Sequence, residues 1–433
     1  MVKFSLKKLA SLLALISVSI FLKPTHNANR YFPFLEKTPT YPKYKRLASF
    51  EASAFVSSST RAWGWGDDKV IGIYDLTNRY DLKNVINSLK DYTEKIEMGT
   101  FKNPFLDDFV GSDKFVDKSI KYDIAGKARA EGGIFNFEQY LPWKGLSLGI
   151  WFPIMRVSSH QNFILNENDS ALGFPLQDGE KIEVDRVRRN VHAQMGFTGP
   201  DYVETGVGDL DLYFRLGGSW PYTHFMHSIN FSLKSGLIIP TSNTREANQP
   251  ASIPFMGDGH GGVYVDVMPE LEFRENWKFG LMLGFLHQFD KQKDTRMPSG
   301  DEPMIFSALR GKMRVEPGLL FKFSPYLDIS NLADGLNLQL RWTYLRHEHD
   351  DLYDVRPEWE KAKLASNLFP QESFTEWRAN YLTFQVAYDS YEAMKKWPLN
   401  PKFFAVFDFP FNWIGGKYVP KSTQFTIGAE FNF

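Results

Sequence analysis

The chain has 433 residues, with 50 Lys+Arg against 51 Asp+Glu, so no global charge field points to nucleic acid or to acidic disorder. Cysteine is absent, which excludes disulfide frameworks, thiolate metal sites, a cysteine nucleophile and a lipidated N-terminal cysteine. Aromatic residues make up 16% of the chain, yet mean hydropathy is −0.33, which excludes a bundle of apolar spanning helices and fits a transmembrane β-barrel.

Lys3, Lys7 and Lys8 precede the apolar run Leu9–Leu22, which Lys23-Pro24 breaks. This reads as an export signal over 1–28. His26-Asn27-Ala28 is the nearest cleavage site, with an uncleaved anchor as the alternative. A periplasmic segment, 29–47, is expected next, and then the barrel over 48–433.

Period-2 alternation marks strands at about 49–58, 120–138, 145–158, 206–217, 226–240, 260–274, 277–290, 308–323, 335–347, 375–389, 401–413 and 421–433. The first, starting at Ala48-Ser49-Phe50, is the weakest, and without it the count falls to eleven or a strand hides elsewhere. The last is the clearest. Phe425, Ile427, Ala429, Phe431 and Phe433 share one face, and Gln424, Thr426, Gly428, Glu430 and Asn432 share the other. Between strands, long connections of roughly 61, 47, 19, 17 and 27 residues alternate with short ones. That is the pattern of external loops and periplasmic turns. The fold class expected is therefore all-β: a transmembrane antiparallel up-and-down β-barrel of about 12 strands with long external loops.

The first long loop, 59–119, contains Leu82, Val85, Ile86, Leu89, Tyr92 and Ile96 at helical spacing. A helix over Asp81–Met98 follows, with Asp81 as N-cap. It is either a lid or plug in the lumen or a loop helix packed on the barrel rim. Tyr344, Tyr388, Trp377, Trp397, Trp413 and Trp277 fall near strand ends, as an interfacial aromatic girdle facing lipid requires.

Alternation also assigns the inner face. The lumen candidates are Asp209, Asp211, Asp266, Glu270, Glu272, Glu316 and Glu430, with Arg215, Lys234, Arg314, Lys322 and Arg341. Charges of both signs in a narrow lumen should pair. The result is either a narrow channel without strong ion selectivity or a barrel closed by its own ion pairs.

Catalytic readings are weak. His347 and His349 share a face of an extended chain but lack a third ligand. His260 lies near Asp258 in sequence, and His160 has no acidic partner assigned by spacing. No catalytic residue, metal or cofactor is expected. Asn166-Glu167-Asn168-Asp169 and Asp107-Asp108 could take calcium, and Arg186, Arg188 and Arg189 could meet lipid phosphates; a charged loop surface is the plainer reading.

Phe431-Asn432-Phe433 resembles the C-terminal signature of bacterial outer-membrane barrels, in which the barrel assembly machinery reads a terminal aromatic; Phe431 and Phe433 are then the assembly signal. Gly206-Val207-Gly208-Asp209-Leu210, Ser235-Gly236-Leu237-Ile238-Ile239-Pro240-Thr241 and Gly257-Asp258-Gly259-His260-Gly261-Gly262 together resemble the outer-membrane family named after the meta-pathway of phenol degradation. The resemblance covers about 205–290; Ser242 departs from it, and the loops at 59–119 and 159–205 are enlarged. It implies a passive transporter of small solutes, hydrophobic or aromatic ones among them, in the outer membrane of a Gram-negative cell. The expected partners are outer-membrane lipid, lipopolysaccharide, the assembly machinery and a small solute, with no nucleic acid. The alternatives are a structural or surface-interaction barrel without transport, and a barrel enzyme.

Overall fold

The computed structural model describes residues 29–38, 47–64, 69–105, 114, 115, 117–143, 145–173, 175–222, 226–274, 276–393 and 399–433. The expected export signal and cleavage site, Asp107-Asp108 and Trp397 lie outside the described residues.

Among the described residues, twelve antiparallel strands close on themselves in chain order. They are β1 (Ala48–Ser59), β2 (Lys121–Tyr140), β3 (Leu146–Leu165), β4 (Leu210–Pro221), β5 (Ser228–Ile239), β6 (Gly262–Arg274), β7 (Trp277–Gln288), β8 (Leu320–Ala333), β9 (Leu336–His347), β10 (Trp377–Asp389), β11 (Lys402–Pro410) and β12 (Thr423–Asn432). The weakest expected strand makes the closure. Phe50 of β1 faces Phe137 of β2 on one side and Phe431 of β12 on the other. Closure leaves no backbone edge unpaired, which a sheet in lipid requires.

The surface is inverted relative to a soluble barrel. Leu212, Phe214, Leu216, Phe279, Phe384, Phe407, Phe425 and Ile427 all point outward and are exposed. Asp211, Lys234, Asp266, Glu270, Lys322 and Arg341 point inward and are buried. An apolar belt this continuous is stable only against lipid. The chain is thus a transmembrane β-barrel.

Connections alternate between two ends, longer at one than at the other except that 411–422 and 390–401 are equal at twelve residues. At one end lie 60–120, 166–200, 240–261, 289–319, 348–376 and 411–422; at the other lie 141–145, 222–227, 275–276, 334–335 and 390–401. The described residues of the first set fold into a cap. It contains α1 (Leu82–Lys95), α2 (Asp178–Gln194) and a small sheet of Lys291–Arg296, Arg310–Glu316 and Asp351–Asp354. Asp81 caps α1 by accepting from Lys83 N at 3.0 Å, and Ser88 Oγ accepts from Ala308 N at 3.1 Å. The helix expected over Asp81–Met98 therefore packs in the cap above the barrel and not in the lumen.

One strand assignment needs correction. The stretch 308–323 is not a barrel strand: Arg310–Glu316 belongs to the cap sheet, and the barrel strand is Leu320–Ala333. Met313 and Val315 alternate because they face the cap's own core beside Met297, Leu309 and Leu352. Alternation shows that a strand has one apolar face, but not which core it meets.

β4 carries a bulge. Asp201–Val207 pairs with the outer part of β3 and Leu210–Pro221 with its inner part, and between them Gly208 N donates to Pro153 O at 2.8 Å. Pro153 has no N–H for the ladder, so the register slips there by a bulge.

Candidate functional site: an occupied lumen

Residues 29–38, which fall in the expected periplasmic segment, run inside the barrel as an extended strap. Asn29 Nδ2 donates to Pro254 O at 2.6 Å and Arg30 Nη1 to Phe374 O at 3.0 Å, both in long connections. Tyr31 accepts through its carbonyl from Ser422, and its hydroxyl accepts from Arg245 at 3.2 Å. Phe34 packs edge-on against Phe55 at 5.1 Å and Trp151 at 6.1 Å. Further in, Lys37 Nζ lies 2.9 Å from Glu51, near the start of β1, and Gln339, near the start of β9, donates to Thr38 Oγ1 at 2.8 Å. The strap thus spans from the cap toward the short-turn end. Pro33 cannot donate and favours an extended neighbour, so a strap rather than a helix follows locally.

Glu36 is the centre of the arrangement. Its Oε1 lies 3.0 Å from Lys234 Nζ and its Oε2 3.2 Å from Lys322 Nζ. Arg341 donates to its backbone carbonyl. The wall acids sit behind: Asp266 is 2.8 Å from Lys322, and Asp211 is 3.8 Å from Lys234 and accepts from Tyr264 at 2.8 Å.

The other lumen candidates lie on the barrel wall, in the β4 bulge or on the cap sheet. Arg215 pairs with Glu138 at 3.3 Å. Glu270 accepts from Asn230 at 2.7 Å and Tyr326 at 2.9 Å, and Glu272 accepts from Ser228 at 2.6 Å. Glu430 lines the inner cavity. Asp209 sits in the β4 bulge and receives Ser242 N at 3.1 Å and Gly257 N at 2.9 Å, so it ties down the 240–261 connection rather than facing an open pore. Arg314 and Glu316 are misplaced: they pair with each other at 2.8 Å on the cap sheet. Glu36, Lys37, Glu51, Glu138 and Asp408 were not anticipated. Glu51, Glu138 and Asp408 follow the inward alternation of their strands, whereas nothing periodic marks Glu36 or Lys37.

Two cavities flank the strap. The inner one, about 130 Å³, lies between the strap and the wall and is lined by Glu51, Glu138, Arg215, Asp408 and Glu430. The outer one, about 180 Å³, lies under the cap against Asn29–Tyr31. Met256, Met304, Met313, Leu352, Phe374 and Trp377 give it an apolar side, and Arg245, Asp258, His260 and Lys293 a polar one. In that outer cavity burial opposes ionisation of Asp258, but Lys293 at 2.5 Å holds its carboxyl below the usual range. Burial and Lys293 push the His260 imidazole down.

Inward-facing glycines have a steric purpose. A Cβ on Gly236 would meet Tyr264 at 2.5 Å, and one on Gly280 would meet Tyr326 at 2.1 Å. Each glycine lets a lumen tyrosine lie flat across the neighbouring strand.

The remaining candidates take structural roles. Trp377, expected in the lipid girdle, is buried and stacks on His347 at 5.5 Å, while Trp277 and Trp413 are exposed. His347 is buried and His349 exposed, so they do not form a pair. Among the described residues no cluster of three His, Cys, Asp or Glu could hold a metal. His260 Nδ1 meets Phe289 O at 2.9 Å, not Asp258. His160 does have an acidic partner, Asp201 at 2.7 Å, on the exposed outer face. Asp169 pairs with Arg79, Glu167 with Lys181, and Arg186, Arg188 and Arg189 with acids of their own helix. Phe431 and Phe433 lie at the closure seam, where Phe433 N donates to Ala48 O at 3.0 Å.

No family model matches the chain, and no curated protein does. Among solved structures, it is similar to the COG4313 outer membrane channel from Pseudomonas putida F1, at 10% identity over 92% of this chain and 100% of that one, with a TM-score of 0.47. It is similar to the translocator domain of the autotransporter NalP from Neisseria meningitidis, at 9% identity over 90% of each chain and a TM-score of 0.36. It is also similar to the Pseudomonas putida toluene transporter TodX, at 10% identity over 96% of each chain and a TM-score of 0.32. The barrel assignment rests on this chain's own strand pairing and inverted surface.

Proposed function

We propose that the protein is a passive outer-membrane channel for small solutes, hydrophobic or aromatic ones among them, in a conformation closed by its own strap. One observation carries this reading. The lumen is filled by a segment outside the sheet, with a cavity on either side of it, and not by wall side chains meeting across the barrel. A scaffold barrel has no need of a removable filler. The apolar side of the outer cavity suits a hydrophobic solute, and its polar side suits a single polar substituent. This agrees with the resemblance to the phenol meta-pathway family. The outward belt would meet membrane lipid and lipopolysaccharide, and Phe431 and Phe433 would present the seam to the assembly machinery.

The test is conductance in planar bilayers, comparing the full chain with a variant lacking 29–38. Stable steps that are larger and more frequent in the variant are expected. Silence from both, with circular dichroism showing folded barrels, would overturn the channel reading.

A further inference from the structure

Glu36 does not merely fill space. Its two carboxylate oxygens are divided between two buried ammonium groups, Lys234 at 3.0 Å and Lys322 at 3.2 Å, from strands that are not neighbours in the barrel. Each ammonium also has a wall acid, Asp211 at 3.8 Å or Asp266 at 2.8 Å. The pair of lysines is therefore balanced without the strap, and a lysine carries three donors, so each retains capacity for an added acceptor. This is the design of a site that can be vacated at modest cost: its charges remain compensated when the occupant leaves. Arg341 grips the strap backbone instead, while the two lysines flank the carboxylate.

Two residues back on the strap, Phe34 inserts its ring between Phe55 of β1 and Trp151 of β3, while Glu36 meets β5 and β8. The strap thus presents a ring and, two residues on, a carboxylate to different parts of the lumen wall. Resting on the channel reading above, we infer that Lys234 and Lys322 form a carboxylate subsite of the permeation path, and that Glu36 occupies it in place of a small organic monocarboxylate with an apolar body. The strap is then a built-in competitor: solute and strap exclude each other at the same two ammonium groups.

The test uses the full chain carrying Glu36→Gly, which removes the carboxylate and leaves the lysines. Its thermal unfolding in micelles is followed with propionate, which matches the lost side chain, and with propionamide, which lacks only the charge. Propionate should raise the midpoint and propionamide should not, and adding Lys234→Gln and Lys322→Gln should abolish the difference. A second measurement covers a misfolded variant: calorimetric titration of the strap-deleted barrel with benzoate and benzamide, where benzoate should bind about tenfold tighter or better, the margin of one charge-assisted contact. Equal effects of acid and amide in either measurement would overturn the subsite. Binding in micelles is read whether or not the barrel conducts, so a silent bilayer would fail the channel reading while leaving this result standing or falling alone.

Discussion

Lys37 places its ammonium 2.9 Å from the Glu51 carboxylate, and so the strap is latched to β1, the strand that closes the barrel. The same ammonium lies 3.2 Å from the centre of the Phe404 ring, which adds a cation–π contact. Glu51→Gln should loosen the strap at its inner end. The Lys37 side chain is 32% exposed, so the loss is modest, about 1 kcal/mol, or about a fivefold rise in open probability. Single-channel recording checks this. Lys37→Met removes the Phe404 contact as well and should give a larger rise, and the double variant should not exceed Lys37→Met alone, because Glu51→Gln then removes nothing further.

Asp75 sits under the cap, where its carboxylate accepts Ile124 N at 3.0 Å. Burial pushes its pKa up to about 6. The folded value lies above the unfolded one, so this group favours folding at low pH, and the benefit is lost as pH rises through 6. Asp75→Asn should therefore hold the cap more firmly at pH 7, by about 2 kcal/mol, and change little at pH 4. Limited proteolysis of the 69–81 stretch at the two pH values reads this directly. Faster cleavage of the variant at neutral pH would contradict it.

His192 of α2 acts with the opposite sign. Its ring stacks on Phe306, and its Nε2 meets the Tyr80 hydroxyl at 2.8 Å. Burial, with Arg188 and Arg296 nearby, lowers its pKa to about 3. The folded value lies below the unfolded one, so the stability it contributes is present at neutral pH and is lost as pH falls from about 6.5 toward 3. Protonation of His192 should therefore loosen its contacts with Tyr80 and Phe306 as pH falls below about 6.5. His192→Gln, which keeps an acceptor for Tyr80, should remove that acid lability. Hydrogen exchange in α1 and α2 between pH 4 and 7 is the measurement, and unchanged acid-induced opening in the variant would refute the assignment.

The barrel was legible because lipid and lumen impose opposite chemistry on successive residues. Gln424 to Phe433 and Leu336 to Tyr344 show it without ambiguity. β8 was not legible. Ser324, Pro325, Asp328, Ser330 and Asn331 read as turn residues, yet Pro325 pairs opposite Leu281 inside the ladder. Several of them face the lumen, where polarity is tolerated: Ser324 meets Thr343 at 2.9 Å. The strap was not legible either. Its partners, Lys234, Lys322 and Arg341, lie some two to three hundred residues away, and an extended segment without ladder bonds leaves no period. Lys234 and Lys322 were identified as inward cations, but what they hold could not be.

Gly236 connects the local sequence to the site, and replacing it tests that connection. The glycine allows the Tyr264 ring to lie against the backbone, since an added Cβ would meet the ring at 2.5 Å and Leu212 O at 2.7 Å. Held there, Tyr264 donates to Asp211 at 2.8 Å, and Asp211 lies 3.8 Å from Lys234, which holds Glu36. Gly236→Ala must shift either the ring or the strand. Overpacking of this kind costs about 1–3 kcal/mol. The shift would leave Asp211 without its phenol donor and no longer fixed beside Lys234, so the position of Lys234 and strap retention should weaken along with barrel stability. Tyr264→Phe separates the two effects: it keeps the packing and removes only the hydrogen bond. We expect Gly236→Ala to lower the unfolding midpoint and raise the open probability, and Tyr264→Phe to raise the open probability with a smaller loss of stability. If Tyr264→Phe leaves gating at the wild-type level, the relay from Gly236 through Asp211 to Glu36 does not operate, and the glycine serves packing alone.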